Sequence, residues 1–334
     1  MRVGLIARGD NGGLGAQTWE FHRHVRPDVT LVVDLGDAGR GRCEPSRFCH
    51  GTVRVCGNPP SEHDLGWLLG CCDVVWTAEG AYNERLWALA ADAGVATVLH
   101  ANPELWRPGP VAPSVTLTPT LWMADRTGLP VLAVPVAADR FGDRRYVRGG
   151  WGRFYFPAAP AFHDRHGSKI VEEALPHIDR AATVYSRGPG PETWEAGRVT
   201  WRNLPPCENY WHAIPADIDV MILPRRYGGL SLPVQEALAQ GIPVVMTDVE
   251  PNGAYTELRV PLLANPRMVR MKGGRFPVHD VDPAALARML NSLNTAELKR
   301  ASILALEWSE QHSWDRLLPC YIETLERAYQ ARPR

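Results

Sequence analysis

The 334-residue chain has no run of about 18 consecutive apolar residues, the length a transmembrane helix needs. Its opening, Met1 to Arg8, meets charge too soon for a signal peptide and reads as a first strand. Charge of one sign is also missing. Lys and Arg number 36 against 37 Asp and Glu, so a net charge of −1 gives no global field toward nucleic acid or an anionic membrane, although a local basic patch would suffice. The seven cysteines are odd in number and irregular in spacing, which argues against a disulfide framework and for reduced thiols in a cytoplasm. Cys43, Cys49, His50 and Cys56 cluster without the tight knuckle of a zinc site, and no metal is expected. Internal repeats and low-complexity tracts are absent too.

What is present is globular. The apolar fraction is 45% and the charged fraction 22%, and the length fits two domains of ordinary size. Tryptophan is abundant at 12 copies, most of them expected in the core. Short β-branched runs at Val3–Ala7, Val29–Val33, Val74–Thr77, Val95–Leu99 and Val131–Val134 read as strands, with helical patterns at Glu62–Leu69 and Tyr82–Ala93. A second series follows, with a helix near Lys169–Leu175, strands at Ala182–Tyr185 and Ile218–Leu223, a helix at Leu232–Gln240 and a strand at Pro243–Met246. Apolar strands alternating with helices indicate parallel sheets covered on both faces.

The most informative stretch is Asp219 to Val245: a buried strand ending at Pro224, then Arg225-Arg226-Tyr227-Gly228-Gly229-Leu230, then a helix carrying one early carboxylate, Glu236. Glycines let backbone approach a ligand, and a helix N-terminus offers N–H groups and partial positive charge to phosphates. A carboxylate there can accept hydrogen bonds from ribose hydroxyls; alternatively it only complements the helix dipole.

With Pro233, Glu236, Ala237, Gly241, Pro243 and Val244 in register, this stretch resembles the donor signature of retaining GT-B glycosyltransferases of the family-four (glycosyl transferases group 1) type. Asn11-Gly12-Gly13-Leu14-Gly15 is similar to that family's glycine-rich loop, and Ser313-Trp314-Asp315 to the start of its closing helix. The combination with Gly-Leu-Gly-Ala-Gln-Thr-Trp-Glu-Phe resembles a subgroup common in bacteriophage genomes. The resemblance implies an α/β GT-B fold with two Rossmann-like domains facing across a cleft, a nucleotide-sugar donor (a UDP-sugar) and no other cofactor.

The implied donor residues are Gly12, Gly13, Gly15, Arg225, Arg226, Gly228, Gly229, Leu230 and Glu236. Arg165 and Lys169 resemble the pair that neutralises the leaving diphosphate, and their spacing of four would put them on one helix face. His100, directly after a strand, matches a His near the reacting sugar. Gly228 stands where the family has its first Glu, which leaves the donor sugar open, with Arg225 and Arg226 available to rebuild the contact. Glu79, Tyr82, Asn83 and Glu104, in loops at the carboxyl ends of strands, are acceptor-side candidates.

The reading divides the chain into an acceptor domain (1–140), a linker and basic loop (141–160), a nucleotide-sugar domain (161–311) and a C-terminal helix (312–334) packing back on the first domain. In the linker, Arg144, Arg145 and Arg148 lie among aromatics, a pattern that can track a nucleic-acid backbone. The expected activity is retaining hexosyl or pentosyl transfer to a hydroxyl, with a 5-hydroxymethylpyrimidine in double-stranded DNA as the acceptor. Glycosylation of a virion or surface protein or glycan stays open, as does a non-transferase on the same scaffold, either an epimerase or an inactive binding module. A monomer or homodimer in the cytoplasm, the host's if phage-encoded, completes the expectation.

Overall fold

The computed structural model describes residues 1–38, 42–158, 162–187, 191–205, 207 and 213–332. The chain forms two compact units, Met1–Pro135 with Trp314–Arg334, and Val136–Ser313.

The first unit begins with β1 (Val3–Arg8), α1 (Gly13–Val25), β2 (Val29–Val33), β3 (Thr52–Cys56) and α2 (Glu62–Cys71). It continues with β4 (Val74–Ala78), α3 (Leu86–Asp92), β5 (Ala96–His100), β6 (Val115–Leu117) and the short α4 (Ala124–Thr127). The strands form one parallel sheet in the order β3-β2-β1-β4-β5-β6. Every residue of β2, β4 and β5 is buried, which explains why their runs are apolar apart from Thr30, Thr77, Thr97 and His100. A capping box between Ser61 and Asp64 fixes the start of α2.

In the second unit, β7 (Arg153–Phe156), α5 (Ser168–Ala174), β8 (Ala182–Ser186), β9 (Thr193–Ala196), β10 (Val199–Asn203) and β11 (Val220–Leu223) come first. Then follow α6 (Leu232–Ala239), β12 (Val244–Thr247), β13 (Arg259–Val260), β14 (Arg267–Met271), β15 (Gly274–Val278), α7 (Pro283–Ser292) and α8 (Thr295–Gln311). The main sheet runs β13-β12-β11-β7-β8-β10-β9, antiparallel only between β9 and β10, and β14 and β15 pair by themselves. The chain ends in α9 (Trp314–Gln330), which returns to the first unit. Its Trp314, Tyr321, Leu325 and Ala328 share a core with Phe21 and Trp76, and Tyr321 Oη donates to the Ala133 carbonyl at 3.1 Å.

Three expectations require correction. Val131–Val134 is not a strand, since only Val131 makes an isolated bridge, to Thr118. The helix expected from Tyr82 starts at Leu86, because Tyr82 is held at φ +60° and cannot enter a helical turn. The segment read as a linker contains β7, a central strand of the second sheet. Phe154, Tyr155 and Phe156 are all buried, so the strand shows no alternation, and its glycine- and arginine-rich flanks hide it.

Candidate functional site

A parallel α/β sheet binds ligands where the strand order reverses, because the loops leaving the carboxyl ends of the two strands part there. In the second unit the chain runs from β7 through β8 to β10, then crosses to β11 on the other side of β7. The switch point therefore lies between β7 and β11. The loop after β7 holds His163 to Gly167, and the loop after β11 holds Pro224 to Ser231. The Arg226 N–H donates to the Arg165 carbonyl at 2.9 Å, tying the two loops together.

Gly228 sits in the second loop at φ +99°, a conformation that favours glycine. A Cβ built there would stand 2.7 Å from Arg165 Nε, so the guanidinium fills the space that a side chain at 228 would take. The same guanidinium lies 5.2 Å from the centre of the Tyr227 ring, within cation–π range. Arg165 is half-buried, which lets it hold a fixed position and still meet a ligand.

The loop then enters α6, with Pro233 in its first turn. Glu236, one turn further, is buried at 6% exposure. It is close enough to Tyr155 on β7 to influence that phenol, whose pKa burial pushes up, with Glu236 adding and Arg187 opposing. Tyr155 and Arg187, which follows β8, join the site only in three dimensions, and no sequence motif marked them.

The neighbouring cations are committed elsewhere. Arg225, 3% exposed, donates to the carbonyls of Gly229 at 2.9 Å and Leu230 at 2.6 Å, and so shapes the loop from below. Arg226 donates to His163 O at 2.8 Å and pairs with Asp280 at 2.6 Å. Both guanidiniums thus hold protein oxygens that shape the loops around Arg165. Arg165 and Lys169 also do not share a helix face, since α5 begins only at Ser168. Lys169 is 81% exposed and pairs with Glu173 at 3.7 Å. The Asp164 carboxylate takes the N–H groups of Ser168 at 2.8 Å and Lys169 at 3.3 Å, so the start of α5 already carries an anion.

The basic linker is likewise turned inward. Arg148, 4% exposed, donates to the carbonyls of Ala216 at 2.9 Å, Ile218 at 3.0 Å, Gln240 at 3.3 Å and Arg144 at 3.2 Å. Arg145 donates to Ala239 O at 3.0 Å, and Arg144 to Ile214 O. Carbonyls left at strand and helix ends take these donors, so Arg148 offers no surface to a phosphate, while Arg144 and Arg145 stay partly exposed.

In the first unit the switch point lies between β1 and β4. Gly12 caps α1 and Gly13 begins it; at Gly15 a Cβ would run into the backbone and carboxylate of Asp10. Two residues not foreseen from sequence dominate here. Arg8, the last residue of β1, grips Asp10 through two hydrogen bonds of 3.0 and 2.7 Å and lies 3.8 Å from Glu79. Burial alone would lower the Arg8 pKa, but Asp10, with Tyr82 and Glu79, outweighs it and raises the value. Their only sequence signal was a charged pair closing a strand directly before a glycine-rich loop. Glu79 and Tyr82 both hold left-handed backbone, at φ +68° and +60°, a cost tolerated mostly at functional sites. Tyr82 Oη is buried with no hydrogen-bond partner among the described residues, and burial pushes its pKa up.

The other candidates lie in or beside the loops that follow β4 and β5. Asn83 fastens a turn, donating to Pro60 O at 2.8 Å and accepting from Arg85 N at 3.0 Å. Glu104 is buried in the loop after β5. His100 is not in an open loop: its ring packs edge-on to Trp76 and Tyr321, with Nε2 2.8 Å from the Leu132 carbonyl. Burial lowers its pKa to about 4 against the pull of hydrogen bonds to Leu132 and Thr118, so it is neutral at pH 7.

Neither a family model nor a curated protein sequence matches the chain. Solved structures do. The Anabaena protein Alr3699/HepE, in complex with UDP, superposes with a TM-score of 0.63 over 98% of this chain and 100% of its own, at 14% identity. Trehalose-6-phosphate synthase OtsA matches at 0.63 over 98% and 99%, with 10% identity. The lipopolysaccharide outer core galactosyltransferase WaaB, in its apo form, matches at 0.61 over 96% and 98%, with 12% identity. The fold is GT-B. At these identities the likeness carries the fold and no residue role.

Proposed function

We propose that the protein is a glycosyltransferase whose second unit binds a UDP-sugar and whose product is a new glycosidic bond on a hydroxyl acceptor. The observation that carries this reading is the β7/β11 switch point. There a half-buried guanidinium, Arg165, is fitted against Gly228, beside a helix presenting the buried carboxylate of Glu236. Glu236 would accept hydrogen bonds from ribose hydroxyls, and Arg165 would face the diphosphate. As the bond between the sugar C1 and the diphosphate oxygen breaks, negative charge grows on the leaving oxygen, and a fixed cation there is worth most in the transition state. The acceptor oxygen forms the new bond to C1 and gives its proton to the departing phosphate. Retention of configuration is part of this proposal and rests on the family resemblance. The UDP and UDP-glucose complexes of the HepE structures support the donor class.

For the acceptor, we favour a hydroxyl of a glycan or protein over a hydroxymethylpyrimidine in DNA, because Arg144, Arg145 and Arg148 spend their donors on carbonyls. The test is a thermal-shift panel of nucleotide sugars followed by labelled-sugar transfer to cell-envelope extract and to duplexes with and without hydroxymethyl bases. A ligand at 100 times its Kd stabilises by about 2.7 kcal/mol, well within detection. Selective UDP-sugar binding with label in the extract supports the reading. Epimerised sugar without an acceptor, or binding without transfer to any acceptor, would replace it with an epimerase or a binding module. Label on a modified duplex would restore DNA as the acceptor.

A further inference from the structure

Gly228 and Gly229 give the loop before α6 backbone freedom, which works against a fixed ligand site unless something outside the loop removes it. Arg225 removes it. Its Nη1 and Nη2 donate to two successive carbonyls, of Gly229 at 2.9 Å and Leu230 at 2.6 Å. Arg225 is held in turn from the neighbouring strand. Thr247 Oγ1, at the end of β12, donates to the Arg225 carbonyl. Asn252 Nδ2 donates to both oxygens of Thr247, at 3.0 Å to the carbonyl and 3.1 Å to Oγ1. Arg225, Thr247 and Asn252 are all buried, so this series of bonds runs beneath the loop and not along its surface.

The direction of those two carbonyls sets the direction of the next two N–H groups. In a trans peptide the C=O and the N–H point opposite ways, and both peptides here are trans. With the Gly229 and Leu230 carbonyls turned onto the guanidinium, the N–H groups of Leu230 and Ser231 point away from it. Among the described residues neither N–H has a hydrogen-bond partner. Ser231 is only 5% exposed, and buried N–H groups are nearly always paired in native proteins. Two such donors side by side, where the loop enters α6, suit an anionic oxygen. Arg225 cannot make that contact itself, since it lies under the backbone that it holds.

We propose that Arg225 is a positioning residue of the donor site, which presents the Leu230 and Ser231 N–H groups to the diphosphate by holding the two carbonyls. The inference rests on the UDP-sugar reading above. It is tested by calorimetry with UDP and by hydrogen exchange over residues 228–235, with and without UDP. In the unaltered chain UDP should slow exchange in this segment. Arg225→Ala should weaken UDP binding ~10–100-fold, the loss of a hydrogen bond to a charged group, and abolish the slowing. Arg225→Lys keeps the charge but lacks the planar fork that spans two carbonyls, so it should restore neither. Thr247→Val removes only the hydroxyl that steadies Arg225, and serves where Arg225→Ala does not fold. It should weaken UDP binding ~2–10-fold, the scale of a neutral hydrogen bond, with the same loss of slowing. Full recovery in Arg225→Lys would reduce the effect to charge and overturn the proposal. So would unchanged UDP affinity in both Arg225→Ala and Thr247→Val, or UDP binding that leaves exchange over 228–235 unaltered. Faster exchange throughout the second unit of free Thr247→Val would make the role structural only, which also overturns it. No UDP binding by the unaltered chain is a separate failure, because it removes the donor reading and this inference with it.

Discussion

The two units solve the same topological problem with opposite electrostatics. Each has a parallel sheet whose strand order reverses once, and each places an arginine beside that reversal. In the first unit Arg8 is held by Asp10 and approached by Glu79, so one cation faces two carboxylates. Such a site repels phosphate and favours hydroxyls, which a carboxylate can accept from. At the second reversal, Arg225 and Arg226 are absorbed by carbonyls and Asp280, while Arg165 is brought against Gly228. That arrangement suits a diphosphate. The difference does not follow from how many arginines each region holds, but from which oxygens claim their N–H groups.

The contrast extends to acid stability. His22 is fully buried, with Nδ1 3.0 Å from Thr30 Oγ1 and Nε2 accepting the His50 N–H at 3.0 Å. Burial, then His50, lowers its pKa to about 4, and burial does the same to His100, both from an ordinary 6.5. Both belong to the first unit. Since the folded imidazoles resist protonation, the unfolded chain binds more protons between pH 6.5 and 4. Their contribution is complete above 6.5 and is lost as pH falls to 4, on the order of 3 kcal/mol for each at most. Hydrogen exchange across this range should lose protection first in the first unit. Earlier loss in the second would refute the assignment.

Arg165→Ala is the next largest effect, and it probes the other unit. Removal of one donor aimed at developing charge typically costs about 10²–10³ in turnover. The loss should fall on kcat more than on UDP-sugar affinity. An equal loss in both would make Arg165 a ground-state ligand only, and an unchanged kcat would remove it from the site. Glu236→Ala should then weaken donor binding by about 1.5–3 kcal/mol, the range for hydrogen bonds to a charged group. Unchanged affinity in calorimetry would exclude Glu236.

How far these residues were legible in sequence depended on whether the information was local. The strand, glycine-rich loop and helix from Val220 to Ala239 could be read directly, because each element fixes its own pattern. β7 could not, because its short Arg-Phe-Tyr-Phe run lacks the aliphatic β-branched residues of the other strands and its glycine- and arginine-rich flanks suggested surface. Glu236 stood out as a lone carboxylate in an apolar helix. Arg226 and Arg148 gave no hint that distant carbonyls would engage them, since hydrogen-bond partners such as His279 and Gln240, 53 and 92 residues away, leave no mark in spacing. The surroundings of His100 were hidden for the same reason: sequence showed only its strand-end position, and the Leu132 carbonyl beside its ring is 32 residues on.

Lys169→Ala should have the smallest effect, and it separates two cations that sequence spacing had made equivalent. Arg165 is half-buried and oriented by Tyr227 and by the glycine at 228, whereas Lys169 is 81% exposed and pairs with Glu173 at 3.7 Å. To meet a phosphate, the lysine must leave that exposed pair, worth under ~1 kcal/mol, and also lose the rotamer freedom of a long side chain. Asp164 adds a second obstacle, because its carboxylate already occupies the first N–H groups of α5 and would repel an anion there. Lys169→Ala should therefore lower kcat/KM by no more than ~10-fold, the scale of about 1.4 kcal/mol. A loss matching that of Arg165→Ala would show that the lysine swings onto the donor when it binds, and that orientation in the free protein does not rank these cations.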